Sequence, residues 1–374
     1  MKKLLVLQSS SIIIGTVIGA GILGLPFAFV KSGFLTGLLV LAIISLCMIM
    51  LSLFIGETTL RTKGSHQLTG YTALYVGPIS KNIQAILLLF GMFSALLAYI
   101  IGQGEILANL LGGQPILWSI IIYAVLSFFV VRGLALIKRI EFIVGLLILG
   151  LLFSIGILAA PHMNSINLSV FDIKSFFIPY GAILFACSGL VSIPESKEIL
   201  ASEKSEKFLK ISIIIGNLIP VIVYAIFAAI VVAVTGENTT EIATIGLSHS
   251  IGSTALIIGS LFSIIAMSSS FMTLGTAIKQ TFEYDYKAHP RTAVLLTLGV
   301  PALLFALGFR DFFGIVSAAG ALSVGLTGLI SLVTFWRARK LGNRKPEYSI
   351  PKWLAAPLSI IIALVFIFGI IYTL

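Results

Sequence analysis

Apolar residues along this chain fall into long runs separated by short polar connections. A membrane-crossing helix needs about 20 predominantly apolar residues. Eleven stretches meet that length, at approximately 8–30, 34–57, 82–110, 116–135, 141–160, 174–195, 209–235, 253–278, 292–309, 312–337 and 353–373. The pattern predicts an all-α integral membrane protein with 11 transmembrane helices and no room for a soluble domain. Met1-Lys2-Lys3 followed by apolar residues imitates a signal peptide. The run is interrupted by Gln8-Ser9-Ser10-Ser11 and then continues past any plausible cleavage site, so it reads as a retained first span.

Composition agrees with the pattern. Of 374 residues, 58% are hydrophobic and 10% are charged, against roughly 25% charged in soluble domains. Mean hydropathy is +1.13. These values exclude an ordinary soluble enzyme, a disordered chain and a secreted disulfide scaffold. Cys47 and Cys187 sit in apolar runs and read as free buried thiols. His66, His162, His249 and His289 show no metal-ligand spacing. The net charge of +10 raises the question of nucleic acid. With eleven spans, 21 of the 24 Lys and Arg residues fall on one side; only Lys31, Lys174 and Arg310 fall on the other. The positive-inside rule then places the N-terminus in the cytoplasm and the C-terminus outside, in a multi-pass protein of the cell membrane. The basic residues anchor loops at anionic lipid, and no nucleic-acid face is needed.

Two spans carry residues that oppose a continuous helix. The first contains Gly15-Thr16-Val17-Ile18-Gly19-Ala20-Gly21-Ile22-Leu23-Gly24-Leu25-Pro26. Residues 19–24 match G-x-G-x-x-G, but no strand precedes them and no acidic residue occurs before Glu57, so the dinucleotide fingerprint lacks its context. A small-residue packing face through Gly15 and Gly19 is one reading. A helix interrupted at mid-membrane is the other, because four glycines and a proline are costly in a helix. The sixth span has a matching feature, Pro179 through Pro194, with Gly181, Ala186, Ser188 and Gly189 near its middle. Weak points five helices apart mark inverted repeats and a transport site at their junction. Broken backbone at that depth is tolerated where it lines a cavity. Free amides there hold an anion and free carbonyls a cation. An α-amino acid supplies both charges: carboxylate near Ala20 and Gly21, ammonium near Phe185 and Ser188. Neither break contains Asp, Glu, Lys or Arg, which disfavours basic amino acids and polyamines. Transition metals would want Asp or Met there.

Gly15 through Pro26, Phe185 through Glu195, and Ala266-Met-Ser-Ser-Ser-Phe-Met-Thr-Leu-Gly275 resemble the first, sixth and eighth helices of amino acid permeases. The nearest branch is the tryptophan/tyrosine permease family, beside the amino acid/auxin permeases, within the amino acid–polyamine–organocation superfamily. The resemblance implies the leucine-transporter fold: a 5+5 inverted repeat, about 8–160 and 174–337, plus an extra helix at 353–373. It implies substrate contacts at Ile18, Ala20, Gly21, Phe185, Ala186 and Ser188, with Phe185 as an aromatic lid. It also implies a sodium site at Gly15, Ile18, Ser268 and Ser269. Gly15 stands where some sodium-coupled relatives carry asparagine. The fifth span lacks the lysine that some proton-coupled members place there, so sodium and protons both remain candidate coupling ions.

Further candidates lie on the third span. A small-residue stripe of Gly91, Ser94, Ala95, Ala98 and Gly102 reads either as close packing or as space for a bulky substrate, with Tyr99 beside it as a candidate carboxylate partner. Glu105, about 9 Å further along the helix, is a candidate for proton coupling, or a solvated vestibule residue. Asn217, in the seventh span, reads either as an ion ligand or, by preference, as a helix–helix hydrogen bond. Glu57, Glu141 and Glu195 read as local ion pairs, with an inner gate as the alternative, and segment 236–252 as an external re-entrant lid. The function expected is secondary active import of a neutral, hydrophobic or aromatic amino acid, with no cofactor other than a candidate Na⁺. A transporter-fold sensor, or a carrier of another small zwitterionic or organic-cation solute, is the alternative; an enzyme is not expected.

Overall fold

The computed structural model describes residues 2–19, 21–132 and 137–373, the side chains of 2–4, 137–146, 149, 202, 284 and 285 excepted. The described residues are helical with short connections. The first span is two helices, α1 (Lys2–Val17) and α2 (Gly21–Ser32), bent by 58°. Gly33, with φ +81°, turns the chain into α3 (Phe34–Leu60). A short helix α4 (Leu68–Tyr75) leads to α5 (Pro78–Leu111), which opens with proline at its first turn, where a missing N–H costs nothing. Helices α6 (Pro115–Arg132) and α7 (Ile137–Ala159) follow. Glu141 lies in α7 among the side chains outside the description.

The sixth span starts later than expected. Between residues 160 and 179 lie only single helical turns, at Ala160–His162, Ser165–Leu168 and Ile173–Ser175, with Asp172 accepting from Lys174 N and Ser175 Oγ. These local bonds compete with a helix starting at Lys174. The span proper is α8 (Tyr180–Ala186), a break, and α9 (Ser192–Ser202). Helix α10 (Leu209–Thr235) forms the seventh span; α11 (Ala243–Ile251) lies in the expected lid segment. The remaining spans are α12 (Ser253–Gln280), α13 (Pro290–Ala306), α14 (Phe312–Ala318) joined through a π-helical stretch to α15 (Leu326–Leu341), and α16 (Lys352–Thr373).

Among the described residues, seven helices are long and apolar enough to cross a membrane, and the bent α1–α2 pair adds an eighth. Large apolar side chains such as Phe153, Leu295 and Phe368 cover the outer surface, which a bilayer favours and water does not. Inside, glycines let backbones touch. A Cβ at Gly181 would collide with Ser317 O, and one at Gly320 with Gly181 O, so α8 lies directly against the π-helical stretch of the tenth span. The third-span stripe packs the same way. Gly91 meets Ser323, and Gly102 meets Met267 and Phe312, which fits close helix packing at these two positions.

Candidate functional site

The two breaks meet. α1 ends at Val17 and α8 at Ala186, and the chain resumes as α2 at Gly21 and α9 at Ser192. A Cβ at Gly21 would lie 2.9 Å from Ala186 Cα and 3.4 Å from Phe185 Cδ1. Glycine is therefore required at 21 by a close approach, because the neighbouring backbone cannot yield. Ala20 lies outside the described residues. Ala186 is buried, while Phe185 and Ser188 are half-buried; Ser188 N donates to Phe185 O at 3.1 Å. Three of the expected substrate residues, Gly21, Phe185 and Ala186, are thus brought together.

A tyrosine from the seventh span closes the junction. The buried Tyr224 Oη, on α10, lies 2.5 Å from Val17 O and 3.1 Å from Ala186 O, donating to the carbonyls that end α1 and α8. Tyr99, on α5, is also buried. Its hydroxyl interacts with Ser270 and lies 3.8 Å from where a Cβ at Gly19 would stand; Ser270 Oγ is 3.5 Å from the same point. One turn along α5, the fully buried Gln103 donates to Tyr99 O at 3.1 Å and accepts from Ser268 Oγ at 2.8 Å. A small apolar pocket, about the size of a water molecule, lies alongside the first break, lined among others by Ile18, Gly19, Ile22, Leu152, Phe262 and Ala266.

The residues expected to hold sodium are arranged less compactly. Ile18 borders the pocket. Gly15 is exposed, with no atom within 4 Å of a Cβ built on it. Ser268 turns its hydroxyl to Gln103 on the third span, and Ser269 is half-buried. Oxygen donors of this kind suit a hard cation. Glu105 belongs to a different neighbourhood. It faces the charge of Glu241 in the lid segment, and Glu241 accepts from Phe313 N at 3.2 Å. Asn217 bonds within its own helix, to Ile213 O at 2.9 Å, so the expected interhelical bond is replaced by an intrahelical one.

Tyr224, Gln103 and Ser270 escape a reading of the sequence alone. Each has a faint signal there: a tyrosine inside an apolar span, a glutamine four residues after Tyr99, and the third serine of a triple. None of these says which way the side chain points.

A model of the tryptophan/tyrosine permease family matches residues 2–374. A protein of Aliivibrio fischeri named glutamine transporter 2 is 24% identical over 97% of this chain and 97% of its own length. Tyrosine-specific transport system 1 of Haemophilus influenzae is 26% identical over 90% and 89%. The solved structure of MhsT in complex with L-phenylalanine superposes with a TM-score of 0.69 at 15% identity, covering 98% of both chains. That likeness establishes the leucine-transporter fold. Spanning helices, two breaks meeting at Gly21 and Ala186, and a match along the whole length lead to one assignment: the chain belongs to the tryptophan/tyrosine permease family, whose members are membrane transporters and not enzymes.

Proposed function

We propose that this protein is a secondary active symporter that imports a neutral, hydrophobic or aromatic amino acid by alternating access. The observation that carries this reading is the meeting of the two breaks at Gly21 and Ala186 among apolar side chains, with no ionisable Asp, Glu, Lys or Arg in either break. Backbone dipoles suit the two charges of a zwitterion, and the apolar walls suit an uncharged side chain. The printed names of the relatives, tyrosine-specific and glutamine transporters, support an amino acid substrate. The L-phenylalanine bound to MhsT supports an aromatic one.

In this reading the Gly21 amide and its neighbour at Ala20 take the carboxylate, Phe185 covers the side chain, and Ser188 lies beside the ammonium. Tyr99 shapes the pocket from the third span. The driving gradient is sodium, through Gly15, Ile18, Ser268 and Ser269, or protons, with Glu105 as the carrier. The helices of the two breaks rock against spans 3, 4, 8 and 9, with the N-terminus in the cytoplasm and the C-terminus outside.

Uptake of radiolabelled amino acids into proteoliposomes, with sodium and pH gradients imposed separately, tests this. Accumulation of tyrosine, tryptophan or phenylalanine under one gradient is expected. No accumulation of any amino acid under either gradient would sink the transport reading. Unchanged ion dependence in a Ser268→Ala, Ser269→Ala double variant would remove those hydroxyls from the ion site.

A further inference from the structure

The last two spans leave a groove between them. It lies between α15 and α16, holds about 440 Å³, and is lined among others by Leu329, Val333, Trp336, Arg337, Ile360 and Ala363. Trp336 Nε1 donates to Ser359 Oγ at 3.1 Å, so these two polar groups satisfy each other and the walls are apolar. Arg337 and Ser359 mark the end nearest the connection between the two helices, Leu329 and Ala363 the other end. From Leu329 to Arg337 a helix rises about 12 Å, close to one leaflet of a hydrocarbon core roughly 30 Å thick. The basic residues at the Arg337 end are uncommitted. Arg337, Lys340 and Lys352 are exposed and form no ion pair among the described residues. Arg337 donates to Tyr75 O at 3.4 Å, which engages one of the five N–H donors of a guanidinium. Arg339 and Arg344, by contrast, are tied to Glu57 and Glu206. Lys340 follows Arg337 by three positions and shares its helix face. Trp353 stands exposed beside Lys352, as aromatic side chains do at the level of a membrane interface.

We propose that this groove is a binding site for an anionic phospholipid, with an acyl chain along Val333, Ile360 and Ala363 and the headgroup phosphate on Arg337, Lys340 and Lys352. A fork of N–H donors matches a phosphate, and basic pockets between spans hold anionic headgroups. A free phosphate would use the basic end and leave the apolar length uncovered. A second copy of the chain is opposed by charge. Two copies in one membrane share an orientation, so a two-fold contact through the groove would set the same three cations against each other. The site is separate from the junction of the breaks and does not depend on which solute the protein carries.

The test follows the fluorescence of Trp336, made the sole tryptophan by Trp118→Phe and Trp353→Phe, in the full-length protein reconstituted into vesicles. The vesicles are phosphatidylcholine with a minority of phosphatidylglycerol, and one lipid or the other carries bromine, a contact quencher, on its acyl chains. At equal bromine content, phosphatidylglycerol is expected to be preferred over phosphatidylcholine roughly fivefold, the factor that about 1 kcal/mol from a basic residue supplies. Arg337→Gln with Lys340→Gln should bring that ratio close to one. Lys81→Gln with Lys210→Gln, which removes the same charge from other exposed positions, should keep it. Ala363→Phe, which fills the groove, should lower quenching by the brominated phosphatidylglycerol. A ratio of one before the charge changes would overturn the proposal, as would a preference that survives Arg337→Gln with Lys340→Gln. Equal loss in the Lys81 and Lys210 pair would assign the preference to the basic surface as a whole and overturn it too. Full quenching in Ala363→Phe would place the chain outside the groove, and no quenching by either lipid would mean that protein, such as a second copy, covers it; both outcomes overturn the proposal. The starting ratio and Ala363→Phe decide the matter even where the charge variant fails to fold.

Discussion

The junction of the breaks and the far end of α3 treat buried polar groups in opposite ways. At the junction, Tyr224, Tyr99, Gln103, Ser268 and Ser270 are all uncharged, and the backbone supplies the dipoles. At the end of α3, the fully buried Glu57 meets full charges. Its carboxylate accepts from Arg61 at 2.9 Å, from Arg339 at 2.9 and 2.8 Å, from Ser349 at 3.0 Å and from Ile350 N at 2.8 Å. The Arg339 guanidinium also lies over Phe335 and Trp336. Nearby, Arg344 pairs with Glu206 through two 2.7 Å bonds and with Glu347. Every lone pair of Glu57 in use is matched by a fixed donor, which is the condition under which a buried ion pair holds. Such a clamp locks one geometry. Neutral hydroxyls and helix ends bind more weakly and can be exchanged. The contrast separates a region locked by full charges from one held by neutral groups and backbone dipoles, which is what the proposed transport site requires.

Removing the anion of the clamp gives the largest expected effect. Glu57→Ala leaves two guanidiniums with no carboxylate, and breaking a buried pair costs about 3–5 kcal/mol. Unfolding of the detergent-solubilised protein should show that loss. A change below about 1 kcal/mol, the range of surface pairs, would erase the distinction between the two regions.

Glycine substitutions come next. In Gly21→Ala the new methyl would stand 2.9 Å from Ala186 Cα. Overpacking of that kind costs about 1–3 kcal/mol, and uptake is expected to fall roughly tenfold, the equivalent of about 1.4 kcal/mol. Gly15→Ala meets nothing within 4 Å. Its proposed place in the ion site is through the backbone carbonyl, which alanine keeps, so the variant should keep uptake and stabilise α1 by about 0.5–1 kcal/mol. Uptake lost on Gly15→Ala but kept on Gly21→Ala would break the picture of the junction.

A neutral hydrogen bond should cost less than the clamp. Ser268→Ala leaves the buried Gln103 Oε1 without its donor, a loss of about 1–3 kcal/mol. Adding Gln103→Leu should cost less than the sum of the two single changes, because the orphaned acceptor is gone. Strict additivity of the unfolding free energies would mean that the two side chains are uncoupled.

The smallest effect is a pH dependence at the lid segment. Burial first, then the charge of Asp311, holds the Glu241 carboxyl above its ordinary range, against the opposing pull of Phe313 N–H and Lys31. A raised carboxyl favours the folded state while protonated. Its contribution is full below the unfolded value of about 4.3 and is lost as pH rises through the folded value. Glu241→Gln removes that loss, so its advantage in melting temperature over the wild type should grow between pH 4 and pH 8. A constant difference across that window would show that Glu241 is as hydrated as a free carboxylate.

Several features were readable along the chain. Runs of 20 apolar residues have one low-energy arrangement in a bilayer, so the helices follow from local composition. The glycines at 15, 19, 21 and 24 weaken one helix wherever it is placed, and α1 and α2 do part between Val17 and Gly21. The sixth span was legible as a broken helix, but its start was not. Asp172 and Ser175 tie up the backbone that a helix from Lys174 would use. Glu57 read as a local ion pair, and Arg61 four residues on supplies one. Its other partner, Arg339, is 282 residues away in sequence, beyond the reach of any local pattern.

What the sequence by itself determined is therefore the membrane class, the places where helices must fail, and the family; these depend on composition and short-range backbone cost. What only the tertiary structure decided is which groups meet at the failures. Gly21 against Ala186, Tyr224 on two helix ends and Ser268 on Gln103 each join separate spans. Helix rotation and depth set those meetings, and both come from packing among spans, which no single span encodes.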